Sequence, residues 1–100
     1  MNKEILQKAI DTYGEFGQVD KFIEESAELI QALLKTRKYQ EENDGDYTEG
    51  LYNSVLTEVA DVYITLEYIK RIYKIPKTEL NSEIDFKLNR LKERLEQWNY

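Results

Sequence analysis

The sequence predicts an all-α fold, a four-helix-type bundle forming one domain over residues 1–100. Three observations carry that expectation. Apolar residues recur three and four positions apart over four separate stretches, and no stretch shows the period-two alternation of a strand. The four glycines and the one proline fall at or near the ends of those stretches. Charged residues make up 34% of the chain beside 41% hydrophobic, which suits helices with wide solvated faces around a thin core.

The first helix is expected from about Asn2 to Tyr13, ending at Gly14, with Gly14 and Gly17 bracketing a short turn. The second spans about Val19 to Tyr39, with Phe22, Ile23, Ala27, Leu29, Ile30, Leu33 and Leu34 at helical spacing. The stretch EENDGDYTEG, residues 41–50, carries two glycines and no aliphatic residue, and reads as the one long acidic loop. It does not match the spacing of a calcium-binding EF-hand loop. The third helix runs from about Leu51 to Tyr73 and stops before Pro76, whose ring disfavours helix in the preceding residue. The fourth covers about Ser82 to Trp98, where Ile84, Leu88, Leu91, Leu95 and Trp98 form a heptad-like packing seam.

Composition narrows the chemistry. The chain has no histidine and no cysteine, which excludes zinc fingers, thiol nucleophiles, imidazole bases and iron–sulfur sites. Any metal must sit on oxygen ligands, so magnesium, manganese or calcium is the expected kind. Twenty acids against fourteen bases give a net charge of −6, which argues against a nucleic-acid duplex or an anionic membrane as partner. No run approaches the ~18 apolar residues of a membrane span and the start lacks a signal-type apolar stretch, so a cytoplasmic protein is expected.

Two pairs of acids stand out. Residues three apart on a helix share a face, so Glu25 with Glu28, and Glu58 with Asp61, each form a forked pair of carboxylates. Such spacing also covers many solvent-facing helices and does not by itself single out a site. The helical wheel separates the second pair from that background. Glu58 falls among Leu51, Val62, Thr65 and Ile69, with Val55 and Val62 as its direct neighbours, and Asp61 flanks the same stripe. Glu25 sits beside Leu29 at the edge of its own apolar arc, and Glu28 lies further round near Ala32. Two carboxylates about 6 Å apart repel by roughly 3 kcal/mol at an effective dielectric near 20, against a total stability of about 5–15 kcal/mol for such a domain. The nearest bases, Lys21, Lys35, Lys38, Lys70 and Arg71, read as lying towards helix ends. Cation coordination is then the economical resolution, provided the second and third helices face each other.

The segments EESAELIQALLK, residues 24–35, and EVADVYITL, residues 58–66, resemble the MazG-like all-α nucleoside triphosphate pyrophosphohydrolases. That family's signature is E-E-x-x-E, a spacer, then E-x-x-D on two adjacent helices, matched here by Glu24-Glu25-Ser26-Ala27-Glu28 and Glu58-Val59-Ala60-Asp61. The preceding stretch YGEFGQVDKFIEE, with Gln18, has the family's character as well, and the spacer of residues 29–57 is long because of the acidic loop. The resemblance implies magnesium, with manganese as a substitute, held by Glu25, Glu28, Glu58 and Asp61. It gives Glu24 a water-positioning role, with Glu24 and Glu25 as the catalytic carboxylates. It implies hydrolysis of the α–β phosphoanhydride of a nucleoside or deoxynucleoside triphosphate to the monophosphate and pyrophosphate.

A triphosphate needs positive charge beyond the metal. Lys87, Arg90 and Arg94 share one face of the fourth helix, beside Asn89, and Lys35 and Lys38 follow the acidic motif. The same residues also fit a plain solvated face. Two other functions are compatible with the chain: a non-enzymatic acidic interaction module, or a catalytically silent nucleotide binder of the same fold. The apolar surface exceeds what one thin bundle covers, so a homodimer or a dimer of dimers is expected, as for the resembled family.

Overall fold

The computed structural model describes residues 1–98, which form four α-helices and no strand. Helix α1 spans Lys3–Tyr13. Asn2 caps it, its side-chain oxygen accepting from the Ile5 N–H at 3.2 Å. Leu6 and Ile10, one turn apart, are its buried residues and form the apolar centre of the molecule.

Gly14 ends α1 and starts α2 at a single residue. Its N–H donates to the Ile10 carbonyl at 2.8 Å, and its backbone stands at φ +86°, ψ 157°, a region essentially confined to glycine. The reversal is complete there, so no second break follows. Helix α2 spans Glu15–Glu42, starting four residues before the expected Val19, and Gly17 lies within it. At 28 residues α2 is roughly 42 Å long.

The acidic stretch is shorter as a loop than its composition suggests. Helix continues to Glu42, and α3, Glu49–Ile72, starts within the acidic run. Asn43, Asp44 and Gly45 make a tight turn, closed by the Gly45 N–H on the Gln40 carbonyl at 2.8 Å. The Gln40 side chain donates back to the Gly45 carbonyl at 3.0 Å. Thr48 caps α3 by accepting from the Leu51 N–H at 3.1 Å. Helix α4, Lys77–Trp98, begins directly after Pro76 rather than at Ser82, and the Pro76 carbonyl accepts from the Leu80 N–H at 3.0 Å.

Helices α2 and α3 pack along each other and α1 packs on both. Helix α4 brings no Cα within 8 Å of another helix, and only Leu80 of its described residues is even half-buried. The expected packing seam is therefore open in the single chain, with Leu88 at 56% and Leu95 at 54% exposure. Ile23, Ile30, Leu33 and Leu34 of α2 are exposed too, so much of its apolar arc faces outward. The radius of gyration, 17.5 Å, exceeds the ~13 Å of a compact chain of this length. Among the described residues no helix is long and apolar enough to cross a membrane.

Candidate metal centre

The α2–α3 interface carries acids where a bundle would place aliphatic side chains. Glu25 of α2 is 6% exposed, and Glu58 and Asp61, one turn apart on α3, are half-buried opposite it. One carboxylate oxygen from each of the three lies within 4.8 Å of the other two. Oε2 of Glu25 and Oε2 of Glu58 are buried and accept no hydrogen bond. Leaving buried acceptors unpaired costs free energy, and each pair of charges at this separation adds roughly 3 kcal/mol of repulsion at an effective dielectric near 20. Such an arrangement does not serve stability alone.

One counter-charge is present. Lys21, a turn before Glu25 on α2, places Nζ 3.1 Å from Glu25 Oε1 and 4.0 Å from Glu24. Sequence reading grouped Lys21 with bases near helix ends, yet its i,i+4 relation to Glu25 brings it to the edge of the centre. Its hydrogen bond to Glu25, and then the charge of Glu24, hold the ammonium above its ordinary pKa. Burial, then the charge of Glu25, pushes Asp61 up. Repulsion from Glu25 chiefly, then burial and Glu58, pushes Glu28 up as well. One ammonium does not balance this group.

The residues fit a hard divalent cation. The donors are carboxylate oxygens contributed by two rigid helices, and two buried oxygens lack a partner that a cation would supply. Glu28 is half-exposed beside the three converging acids, and Glu24 points to solvent, 60% exposed. Glu25, rather than Glu58, is the most buried acid, the reverse of what the helical wheel suggests. The face of α2 that meets α3 decides this, and the apolar arc of α2 did not reveal that face.

A cleft of about 530 Å³ opens beside the centre between α1, α2 and α3. Glu25, Lys21 and Asp61 form its acidic end, while Tyr13, Ile64 and Tyr68 line its walls. Gln18, 6% exposed, also faces it. Thr65 is buried there with its hydroxyl donating to the Asp61 carbonyl at 2.9 Å, which ties it to the ligand-bearing turn. Tyr13, Ile64 and Tyr68 carried no signal in the sequence, because their meeting depends on where α1 docks.

The basic candidates lie elsewhere in the single chain. Lys35 and Lys38 are exposed further along α2. Lys87, Arg90 and Arg94 line a separate shallow cavity of about 290 Å³ on α4, where Arg90 stacks over Phe86 at 5.9 Å. No protein-family model, curated protein or solved structure matches the chain.

Proposed function

We propose that the protein is a magnesium-dependent nucleoside triphosphate pyrophosphohydrolase, with manganese as a substitute ion, working as a cytoplasmic homo-oligomer. The observation that carries this reading is the convergence of Glu25, Glu58 and Asp61 with two orphaned buried oxygens at the end of a cleft. Glu25, Glu58 and Asp61 would hold the ion, with Glu28 joining from the flank. When bound, the ion neutralises the acids and draws developing negative charge from the phosphates.

The remaining work falls to side chains of this chain. A cleft of about 530 Å³ is in the size range of a small-molecule site, and its tyrosines and Ile64 offer an apolar bed for a nucleoside. Gln18 supplies an amide for its polar edge. Lys21 holds Glu25 in place and keeps an ammonium at the cleft wall for phosphate oxygens. Hydrolysis needs one water: its oxygen bonds to the α-phosphorus, and the bridging oxygen leaves with pyrophosphate. The released proton goes to Glu24, the exposed carboxylate at the rim.

The burial of Glu25 counts against an acidic mimic or interaction module, which would display its carboxylates outward. The test is incubation with each common nucleoside and deoxynucleoside triphosphate plus magnesium, following pyrophosphate release. Release with at least one of them is expected. No release with any, together with no thermal shift on adding magnesium and nucleotide, overturns the reading.

A further inference from the structure

A second groove, about 560 Å³, lies between the N-terminal turns of α1 and α4 and the C-terminal end of α3. In a chain of net charge −6 its lining is strongly basic. Lys3, Lys70, Arg71, Lys74 and Lys77 face it, with Glu67 the one carboxylate. Glu67 is already engaged by Lys70 at 3.0 Å. Arg71 donates to the Gln7 side chain at 3.1 Å, which fixes its guanidinium against α1. Among the described residues, Lys3, Lys74 and Lys77 have no carboxylate within 4.0 Å. Leu6, Ile75 and Leu80 give the groove an apolar side.

Helix electrostatics accounts for only part of this cluster. Lys70 and Arg71 lie in the last turn of α3 and Lys74 just beyond it, where cations favour the negative end of a helix. Lys3 and Lys77 are the first residues of α1 and α4, where the same rule disfavours a cation. The acids that obey the rule on those turns, Glu4 and Glu79, do not line the groove. The α3 carbonyls that would repel an anion are also occupied. Those of Ile69, Lys70 and Arg71 accept from the Tyr73, Ile75 and Lys74 N–H groups at 3.1, 3.0 and 3.2 Å.

The geometry points to a second anion site in this groove, independent of metal, for a small ligand with adjacent phosphate groups. Lys3, Lys74 and Lys77 contact the phosphate oxygens, and Arg71 presents its planar fork from the α3 side. A groove of this volume fits a small molecule, and its open cations are too few to track a nucleic-acid backbone. This site stands apart from the proposed acidic centre, which would hold phosphates only through a cation.

Inorganic pyrophosphate titrated into the full chain in EDTA at low salt, followed by calorimetry and amide NMR, tests it. Saturable one-to-one binding is expected, with shifts concentrated at residues 3–7 and 70–81. The double variant Lys3→Ser/Lys77→Ser should weaken binding by about tenfold or more while keeping its helical circular dichroism. Removing equal charge at Lys8→Ser/Lys92→Ser, exposed lysines outside the groove, should leave affinity within about twofold. The proposal is overturned by no binding, by equal weakening in both double variants, or by unchanged affinity in the groove variant. Binding of a short duplex DNA in preference to pyrophosphate overturns it as well.

Discussion

At the residue scale, the three converging acids set stability against chemistry. Glu58→Gln removes one charge from the group while keeping its shape. The metal-free variant should therefore be as stable as the parent or more so, by up to roughly 3 kcal/mol from a relieved repulsion, while pyrophosphate release falls at least about a hundredfold. Chemical denaturation in EDTA beside the release assay checks both halves. A strongly destabilised variant would mean that Glu58 is held by a hydrogen bond and is structural. Proton linkage gives a second expectation. Asp61 and Glu28 keep their protons to higher pH in the folded chain than the ordinary 3.8 and 4.5. The folded state then binds more protons than the unfolded one, so their contribution is fully present below those values and is lost as pH rises through the raised ones. Thermal melts of the metal-free protein from about pH 4 to 8 should show that decline, and Asp61→Asn/Glu28→Gln should flatten it. Added magnesium should reverse the sign, because a cation held by the deprotonated acids would gain affinity as pH rises.

At the scale of elements, α1 is the support on which the cleft depends. Among the described residues Leu6 and Ile10 are the buried aliphatic ones, and both belong to α1. Leu6→Ala should destabilise the protein by about 2–4 kcal/mol and loosen the seat of α1, read as a lower melting temperature and faster amide exchange across α1. Legibility in the sequence divides along the same line. Helical periodicity revealed the four helices, and the placement of Glu58 within an apolar stripe revealed one half of the acidic centre. Those signals are local to one helix. The burial of Glu25, the reach of Lys21 and the meeting of Tyr13 with Tyr68 arise between helices, from packing angles that no single periodicity encodes. The acidic stretch misled for a different reason: its composition suits a loop, but the Thr48 cap and the Gly45 turn let helix run in from both sides.

At the scale of the whole molecule, the single chain leaves a wide apolar surface open among its described residues. Leu88, Leu91 and Leu95 of α4 and Ile30 and Leu34 of α2 face outward. Burying such side chains is worth about 1.5–3 kcal/mol each, so a second copy is the expected cover. Sedimentation at micromolar concentration should give at least twice the chain mass of 11.9 kDa. Leu88→Glu/Leu91→Glu should shift it towards the monomer, and a parent that sediments as a monomer would contradict self-association. A symmetric assembly multiplies every local feature, including the joint at Gly14. There α1 is attached to α2 through two torsion angles and no spare chain, so Ala9 and Tyr13 ride on a rigid arm with one swivel. The arm cannot be adjusted by lengthening or padding the joint, since any side chain at residue 14 strains its φ of +86°. Re-tailoring the cleft for a different ligand must therefore come from the side chains that line it on α1, α2 and α3, with the pivot itself left untouched.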